Sequence, residues 1–568
     1  NDGNRVEDEW KKSGNNWYWL DSEENGGMAT DKLIEDNDNI YYVDANGVMV
    51  TNTWVKVVNE DQDDDDDPAE YHYYYMQSSG KAYKGNGDNV SKKTIDGKRY
   101  AFDEDGKMLY GWVNEDGSLA NGEDEWKDAK YYFGSWEDGS MKTGWVNITV
   151  YDDDDDKEDD YDYWFNFKSN GEKRTHDEAG KTWKSNGRYY HFDTRGVMVY
   201  QWFQTSTSDA SPSGWSYFNS PEDGAKVVKG WFKVIPPTED NSFYEQENTF
   251  ATKDSDDESE RWYYNDGSDE GLVAGEIKKI KGKYYGFRPA DDGYNKGGAM
   301  LTGLCALTMN GEEILAVYND YADMDSDDLD DFMDEVDAGD VPANTYLYYF
   351  GNDEDSDGAM KTGNVTINLD GDSYQFQFRK SGGADSRGRG VHGVDGDYIY
   401  KYGQRMKADS DQKYVLVKAT GDINDADVDV QKYDGSDVRK DLGLTQGISY
   451  GDDGKVKVYY GFGTRDEGWY LVNTSGKIQD GKKSGVKDGD DYYWYINEKD
   501  NIIMYTDSKD LSDGMDDNDV PNKNLKKNWD LKSVVTSDDV AAYLDETGVA
   551  ADADDAEVDN AEQEDAAE

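Results

Sequence analysis

The sequence predicts an all-β protein: an elongated, β-solenoid-like array of stacked β-hairpin repeats with a small helical element and a C-terminal acidic tail. Three observations predict it. An aromatic strand, a turn and a closing tryptophan recur along the chain at near-constant spacing. The 568 residues are 35% hydrophobic yet 14% aromatic, too few aliphatics for one large core but many large flat side chains. Sixty glycines punctuate the chain with turns.

The repeats come first. Residues 39–54 read NIYYVDANGVMVTNTW, 98–112 KRYAFDEDGKMLYGW, 130–145 KYYFGSWEDGSMKTGW and 188–202 RYYHFDTRGVMVYQW. Tyr42 to Trp54, Tyr100 to Trp112 and Tyr190 to Trp202 are each 12 residues apart, and Tyr132 to Trp145 is 13. Alternating aromatics favour a half-buried pleated strand, and Ala45-Asn46-Gly47, Glu104-Asp105-Gly106 and Glu137-Asp138-Gly139 supply turns that tolerate positive φ. A lone hairpin is marginal in water, so each must bury its Tyr, Met and Trp against the next. Degenerate copies lie at 17–32, 215–231, 261–275, 283–303 and 347–363, with decayed ones at Tyr398–Lys407 and Trp469–Lys477. Asp61–Pro68 and Asp152–Asp160 are acidic runs between strands, expected at solvated hairpin tips because like charges repel. Asp320–Asp337 carries Leu329, Phe332, Met333 and Val336 at helical spacing and predicts a short surface helix. From about Thr506 the repeats stop, and Ser537–Glu568 reads as a short helix followed by an acidic tail. The organisation expected is hairpin repeats over 1–303, a divergent repeat-like β region over 304–505, and an extension over 506–568.

This pattern resembles the cell-wall-binding repeats of Gram-positive surface proteins, the choline-binding and glucan-binding repeat family. Gly139-Ser140-Met141-Lys142-Thr143-Gly144-Trp145 and Gly298-Ala299-Met300-Leu301-Thr302-Gly303 carry the likeness best. The resemblance covers roughly residues 15–365. It implies ligand sites between consecutive hairpins, where a tryptophan of one unit and aromatics of the next box a quaternary ammonium by cation–π attraction or stack on a sugar face. It also implies a choline-bearing polymer, another cell-wall polymer or a glucan as partner. Trp112 with Tyr131 and Tyr132 is the first candidate box, followed by Trp54, Trp145 with Tyr189 and Tyr190, Trp202 and Trp231. The same aromatics also serve simply to hold hairpin to hairpin. Where the family opens its Trp-Tyr-Tyr strand with tryptophan, this chain has Ile40, Arg99, Lys130 and Arg188, and Trp262 alone keeps it.

Charge and composition narrow the function. With 60 Lys and Arg against 125 Asp and Glu, the net charge of −65 excludes nucleic acid as a partner. One cysteine, Cys305, allows no internal disulfide, and His72, His176, His191 and His392 have no metal-ligand spacing. No cofactor is required. Asp353, Asp355 and Asp357 ahead of Gly358 copy the opening of a calcium loop, so Ca²⁺ or another divalent cation is a candidate there, as is diffuse bridging by such cations. No apolar run reaches the roughly 20 residues that span a bilayer. The start at Asn1 fits a mature exported product or a trimmed chain. No nucleophile elbow, zincin motif or phosphate loop is present, so no enzyme activity is expected. The reading is a secreted, non-catalytic protein of the Gram-positive cell surface that binds cell-wall polymer or glycan. The alternative is a structural subunit, a homo-oligomer that assembles with cations into a filament or surface layer.

Overall fold

Short runs of alternating aromatics separated by Asp, Asn and Gly turns can close a hairpin but supply no long strand, and the fold follows from that. The structure, a computed structural model, describes residues 5–507 apart from 63–66, 153–158, 177–181, 205–214, 238–258, 268–270, 290–295, 352–356, 383–385, 426–427, 441, 443–444, 451–453, 460–461, 482 and 497–498. The acidic tail and the expected C-terminal helix lie outside the described residues. The chain divides into two units, at Val273 and Ala274.

The first unit is a succession of small antiparallel sheets. β1 (Glu9–Ser13) pairs with β2 (Asn16–Asp21), which also carries β3 (Gly27–Met28). Two-stranded hairpins follow: β4 (Lys32–Asp36) with β5 (Asn39–Val43), β6 (Thr53–Val58) with β7 (Tyr71–Met76), and β8 (Lys93–Ile95) with β9 (Lys98–Tyr100). β10 (Trp112–Val113) pairs with β11 (Tyr131–Tyr132), and the nine-residue β12 (Gly144–Asp152) with β13 (Asp159–Phe167). β14 (Trp183–Ser185) pairs with β15 (Arg188–Tyr190), β16 (Gln201–Gln204) with β17 (Trp215–Phe218), and β18 (Gly230–Val234) with β19 (Arg261–Asn265).

Successive hairpins are locked together by backbone bonds. After the second strand the chain turns and returns one residue to a bridge, as in Val43 with Met49, Phe102 with Met108, Phe167 with Lys173 and Phe192 with Met198. The N–H of that returning residue donates to a carbonyl of the preceding hairpin: Met49 to Trp17 (2.9 Å), Met108 to Tyr73 (2.7 Å), Lys173 to Lys130 (2.7 Å) and Met198 to Trp164 (2.8 Å). The turn aspartate holds the return tight, Asp44 accepting from the Val48 N–H at 2.9 Å and Asp103 from the Lys107 N–H at 2.7 Å. Between hairpins lie small, mostly aromatic clusters, one built on Trp112, Trp126, Phe165 and Phe167, another on Tyr190, Phe192 and Met198.

In the second unit the sheets widen. After the hairpin β20 (Ile277–Ile280) and β21 (Lys283–Gly286), β22 (Leu304–Asn310) is flanked by β23 (Glu313–Val317) and β24 (Thr345–Tyr349). The helix α1 (Ser326–Ala338) buries Leu329 and Phe332 as the sequence spacing predicts, and Asp325 caps its N-terminus by accepting from the Asp328 N–H. Two five-stranded sheets follow, one spanning β25 (Gly363–Leu369), β26 (Asp372–Phe378), β27 (Gly393–Asp395), β28 (Tyr398–Lys401) and β29 (Gln404–Arg405). Between them, β30 (Tyr414–Ala419) centres a three-stranded sheet with β31 (Val430–Tyr433) and β34 (Trp469–Asn473). The short helix α2 (Gly435–Lys440) follows β31. The last sheet holds β32 (Thr445–Tyr450), β33 (Gly454–Tyr459), β35 (Lys483–Lys487), β36 (Tyr493–Ile496) and β37 (Ile502–Thr506), with Trp494 stacked on Tyr505 at 4.1 Å between ring centroids. No helix among the described residues is long and apolar enough to cross a membrane.

Candidate functional site

Antiparallel register decides which aromatics share a face. Trp145 opposes Asn166 and Asn147 opposes Trp164, so Trp145 and Trp164 lie diagonally on one face of the β12–β13 hairpin. The locking bond then brings the next hairpin over that face. Met198 donates to the Trp164 carbonyl, and Tyr190 sets its ring edge-on to Trp145, centroids 4.8 Å apart and planes at 64°. Trp145, Trp164, Tyr190 and Met198, with Glu222 and Asp223 at the lip, line a cavity of about 270 Å³. Tyr190 and Met198 are buried, while both tryptophans are half-buried and form its outer walls.

The lip is acidic and ordered. Asp223 accepts two bonds from the Arg188 guanidinium, at 2.5 and 2.6 Å, and one from Asn219 at 2.9 Å. Glu222 is held below the usual carboxylate range by a bond with Ser220 and stays ionised. Gly224 turns the lip inward at φ +57°, and a Cβ there would stand 2.4 Å from the Met198 sulfur.

The same four positions recur. Trp10 stands edge-on to Tyr41 (5.0 Å, 61°), Trp17 lies diagonal to Trp10 on the β1–β2 hairpin, and Met49 bonds the Trp17 carbonyl. Trp54 stands edge-on to Tyr100 (4.8 Å, 66°), with Tyr73 diagonal to it and Met108 bonded to the Tyr73 carbonyl. Trp136 adds an outer ring to this second set, 6.5 Å from Tyr73. Gly139 packs on Met108 as Gly224 does on Met198, and Lys98 pairs with Asp138 as Arg188 does with Asp223.

The sequence candidates distribute among these interfaces. Trp145 and Tyr190 line the cavity, and Trp54 holds the position equivalent to Trp145 beside Tyr100. Tyr131 and Tyr189 alternate to the opposite strand face from Tyr132 and Tyr190; Tyr131 packs with Phe133, Leu109 and Met141, and Tyr189 lies under the Lys184 ammonium. Trp112 is 8% exposed and enclosed by Tyr132, Trp126, Phe165 and Phe167. Trp202 is fully buried, edge-on to Tyr263 at 4.9 Å, and its indole donates to the Ile235 carbonyl at 2.9 Å. Trp231 is half-buried beside Tyr264 and Trp262. Asp357 pairs with Lys361, and Asp353 and Asp355 lie outside the described residues. Among the described residues no group of three or more His, Cys, Asp or Glu is arranged to hold a metal ion.

Trp17, Trp164 and the packing of Gly224 on Met198 and Gly139 on Met108 were missed in the sequence. Register puts Trp17, Trp164 and Trp215 at the position Trp262 holds, so the strand-opening tryptophan is kept four times rather than once; at β15 the position belongs to Tyr189, not Arg188. The signal was a tryptophan two residues short of each Trp's cross-strand partner, hidden by hairpin loops of unequal length.

Comparison with known proteins agrees with the repeats. Residues 6–54, which contain Trp10, Trp17, Tyr41, Met49 and Trp54, match the choline-binding repeat family. No curated protein matches the chain. Among solved structures, CbpJ from Streptococcus pneumoniae aligns at 15% identity and TM-score 0.36, over 67% of this chain and 99% of that one. Choline binding protein F from the same organism aligns at 16% and 0.27 over 71% and 100%, and its modular autolysin LytC at 17% and 0.27 over 52% and 49%.

Proposed function

We propose that this chain attaches to a choline-bearing cell-wall polymer by enclosing quaternary ammonium groups in the aromatic cages between its hairpins, and that it does so as a secreted, non-catalytic protein of a Gram-positive cell surface. The observation that carries the reading is the cavity between Trp145, Trp164, Tyr190 and Met198. The repeated register at Trp10 and Trp54, the first of them inside the family match, supports it.

The geometry favours a cation over a sugar. A sugar stacks on one flat exposed ring face, whereas here rings meet edge-on near 64° and surround a rounded volume. A trimethylammonium group is rounded, apolar at its methyls and cationic, so ring faces attract it and a thioether packs against it. Ionised Glu222 at the lip adds attraction for a cation. The hairpins of the first unit then act as a β-solenoid-like series of weak sites, and a polymer bearing many ammonium groups is held by several at once.

Retention on a choline resin, against insoluble glucan as the rival matrix, tests the reading. The full chain should bind the resin, elute with free choline and ignore glucan. Retention on glucan with none on choline, or choline retention untouched by removing all three outer tryptophans (Trp10, Trp54 and Trp145), would overturn it.

A further inference from the structure

The interface around Trp112 has the same framework as the cages but a different occupant. Trp112 meets Phe165 edge-on at 5.0 Å and 70°, which matches Trp145 with Tyr190. The second position is Lys130, whose ammonium is paired outward with Glu115. The returning residue, methionine in the three cages, is Lys173: it makes the same bridge, to Phe167, and the same backbone bond, to the Lys130 carbonyl. Its side chain turns inward. Lys173 is 5% exposed, and its Nζ donates to the Trp126 carbonyl (2.8 Å) and the Lys127 carbonyl (2.9 Å) and stands 5.2 Å from the centre of the Trp112 ring.

We propose that Lys173 is a tethered ligand: the Trp112 interface is a primary-ammonium site that the chain fills with its own side chain, so it takes no external cation. Two carbonyls and an indole face are what an ammonium with three N–H donors requires, and a quaternary ammonium, which has none, would leave both carbonyls unsatisfied. Burial pushes Lys173 down to about 7, with Asp193 and Asp128 opposing that shift and Arg195 adding to it. At pH 6 the side chain therefore carries its proton.

Chemical rescue at pH 6 tests the proposal without depending on the attachment reading. Lys173→Ala removes three methylenes and the ammonium, the shape of n-propylammonium. The full-length variant should melt several degrees below the wild type, and millimolar n-propylammonium should recover most of that loss. Neither n-propanol nor tetramethylammonium should do so, and the wild type should not respond. Rescue by propanol as strong as by propylammonium would reduce Lys173 to a space-filler and overturn the proposal, as would rescue by neither. If Lys173→Ala folds only when propylammonium is present during refolding, that also supports it. If that variant never folds, Lys173→Met decides, because it keeps the volume: a melting point below the wild type and indifferent to propylammonium agrees with the proposal, and one equal to or above the wild type refutes it. Loss of choline retention with rescue intact would strike the attachment reading and leave this inference standing.

Discussion

Replacing Trp164 by alanine removes one wall of the best-formed cage and part of the packing against Tyr190, Phe192 and Met198. Its backbone carbonyl, which receives the Met198 N–H, is unaffected, and the side chain is half-buried rather than central. A partly desolvated cation–π contact contributes about 1–2 kcal/mol. Lost apolar contact with the indole adds roughly 1 kcal/mol, about one buried methylene's worth. The sum of about 2–3 kcal/mol corresponds to a roughly 30–150-fold weaker site. Isothermal titration with choline reads this as one binding equivalent lost, since the cages at Trp10 and Trp54 remain. Trp164→Phe keeps an aromatic face and should weaken the site about fivefold or less. Undiminished stoichiometry and affinity in a folded Trp164→Ala would refute the reasoning, because the wall would then contact no ligand.

Three further outcomes follow from the first unit. Gly224→Ala forces a side chain into φ +57° and onto the Met198 sulfur, so it should displace the thioether, weaken choline binding several-fold and cost about 1–2 kcal/mol in urea denaturation. Arg195 lies between buried Asp152 and Asp193, donating at 2.9 Å to each, while Tyr163 donates to Asp152 at 2.6 Å; Arg195→Met should cost about 3–5 kcal/mol in the same assay by leaving the carboxylates uncompensated, and lowering the pH should return part of it. Asp103 is pushed up to about 6 by burial, above its unfolded value, so its contribution is present at pH 4 and lost as pH rises through 6; Asp103→Asn should flatten that fall and gain about 1–3 kcal/mol at pH 7.5 relative to pH 4.

The hairpins were legible because their turns are local. From Tyr100 to Trp112 the chain makes one tight return, held by the Asp103 side chain and the Met108 bridge. The helix over Ser326–Ala338 was legible for the same reason, through the spacing of Leu329 and Phe332. The cages were only half legible. The second ring is reached across a hairpin tip, and tip length is nearly free because loop closure costs grow slowly. Trp10 to Trp17 is 7 residues, whereas Trp54 to Tyr73 and Trp145 to Trp164 are each 19 because acidic runs lengthen those hairpins. No fixed period survives such insertions. Tyr131 and Tyr189 were named with their neighbours because a Tyr-Tyr pair does not reveal which ring faces which way; that is settled by register. Nor did the widening of the second unit to five-stranded sheets announce itself, since it rests on a long-range pairing, Phe376 of β26 with Gln404 of β29.

If the proposed cages take a ligand, cage and core are the same contact in different states of filling, and attachment is tied to stability. At Trp202 the interface is closed by its own rings, and at Trp112 by rings plus the Lys173 ammonium; both tryptophans are buried. At Trp10, Trp54 and Trp145 the outer tryptophan stays half-buried, and Trp17 is 39% exposed, so these hairpins leave apolar surface in water until something covers it. An occupant binds residues from two consecutive hairpins and has no such site in the unfolded chain. Each filled cage therefore adds to the stability of the unit, about 2.7 kcal/mol when free ligand is a hundredfold above Kd. On the proposed function, anchoring and stiffening would be one event in a chain whose small sheets have little aliphatic core.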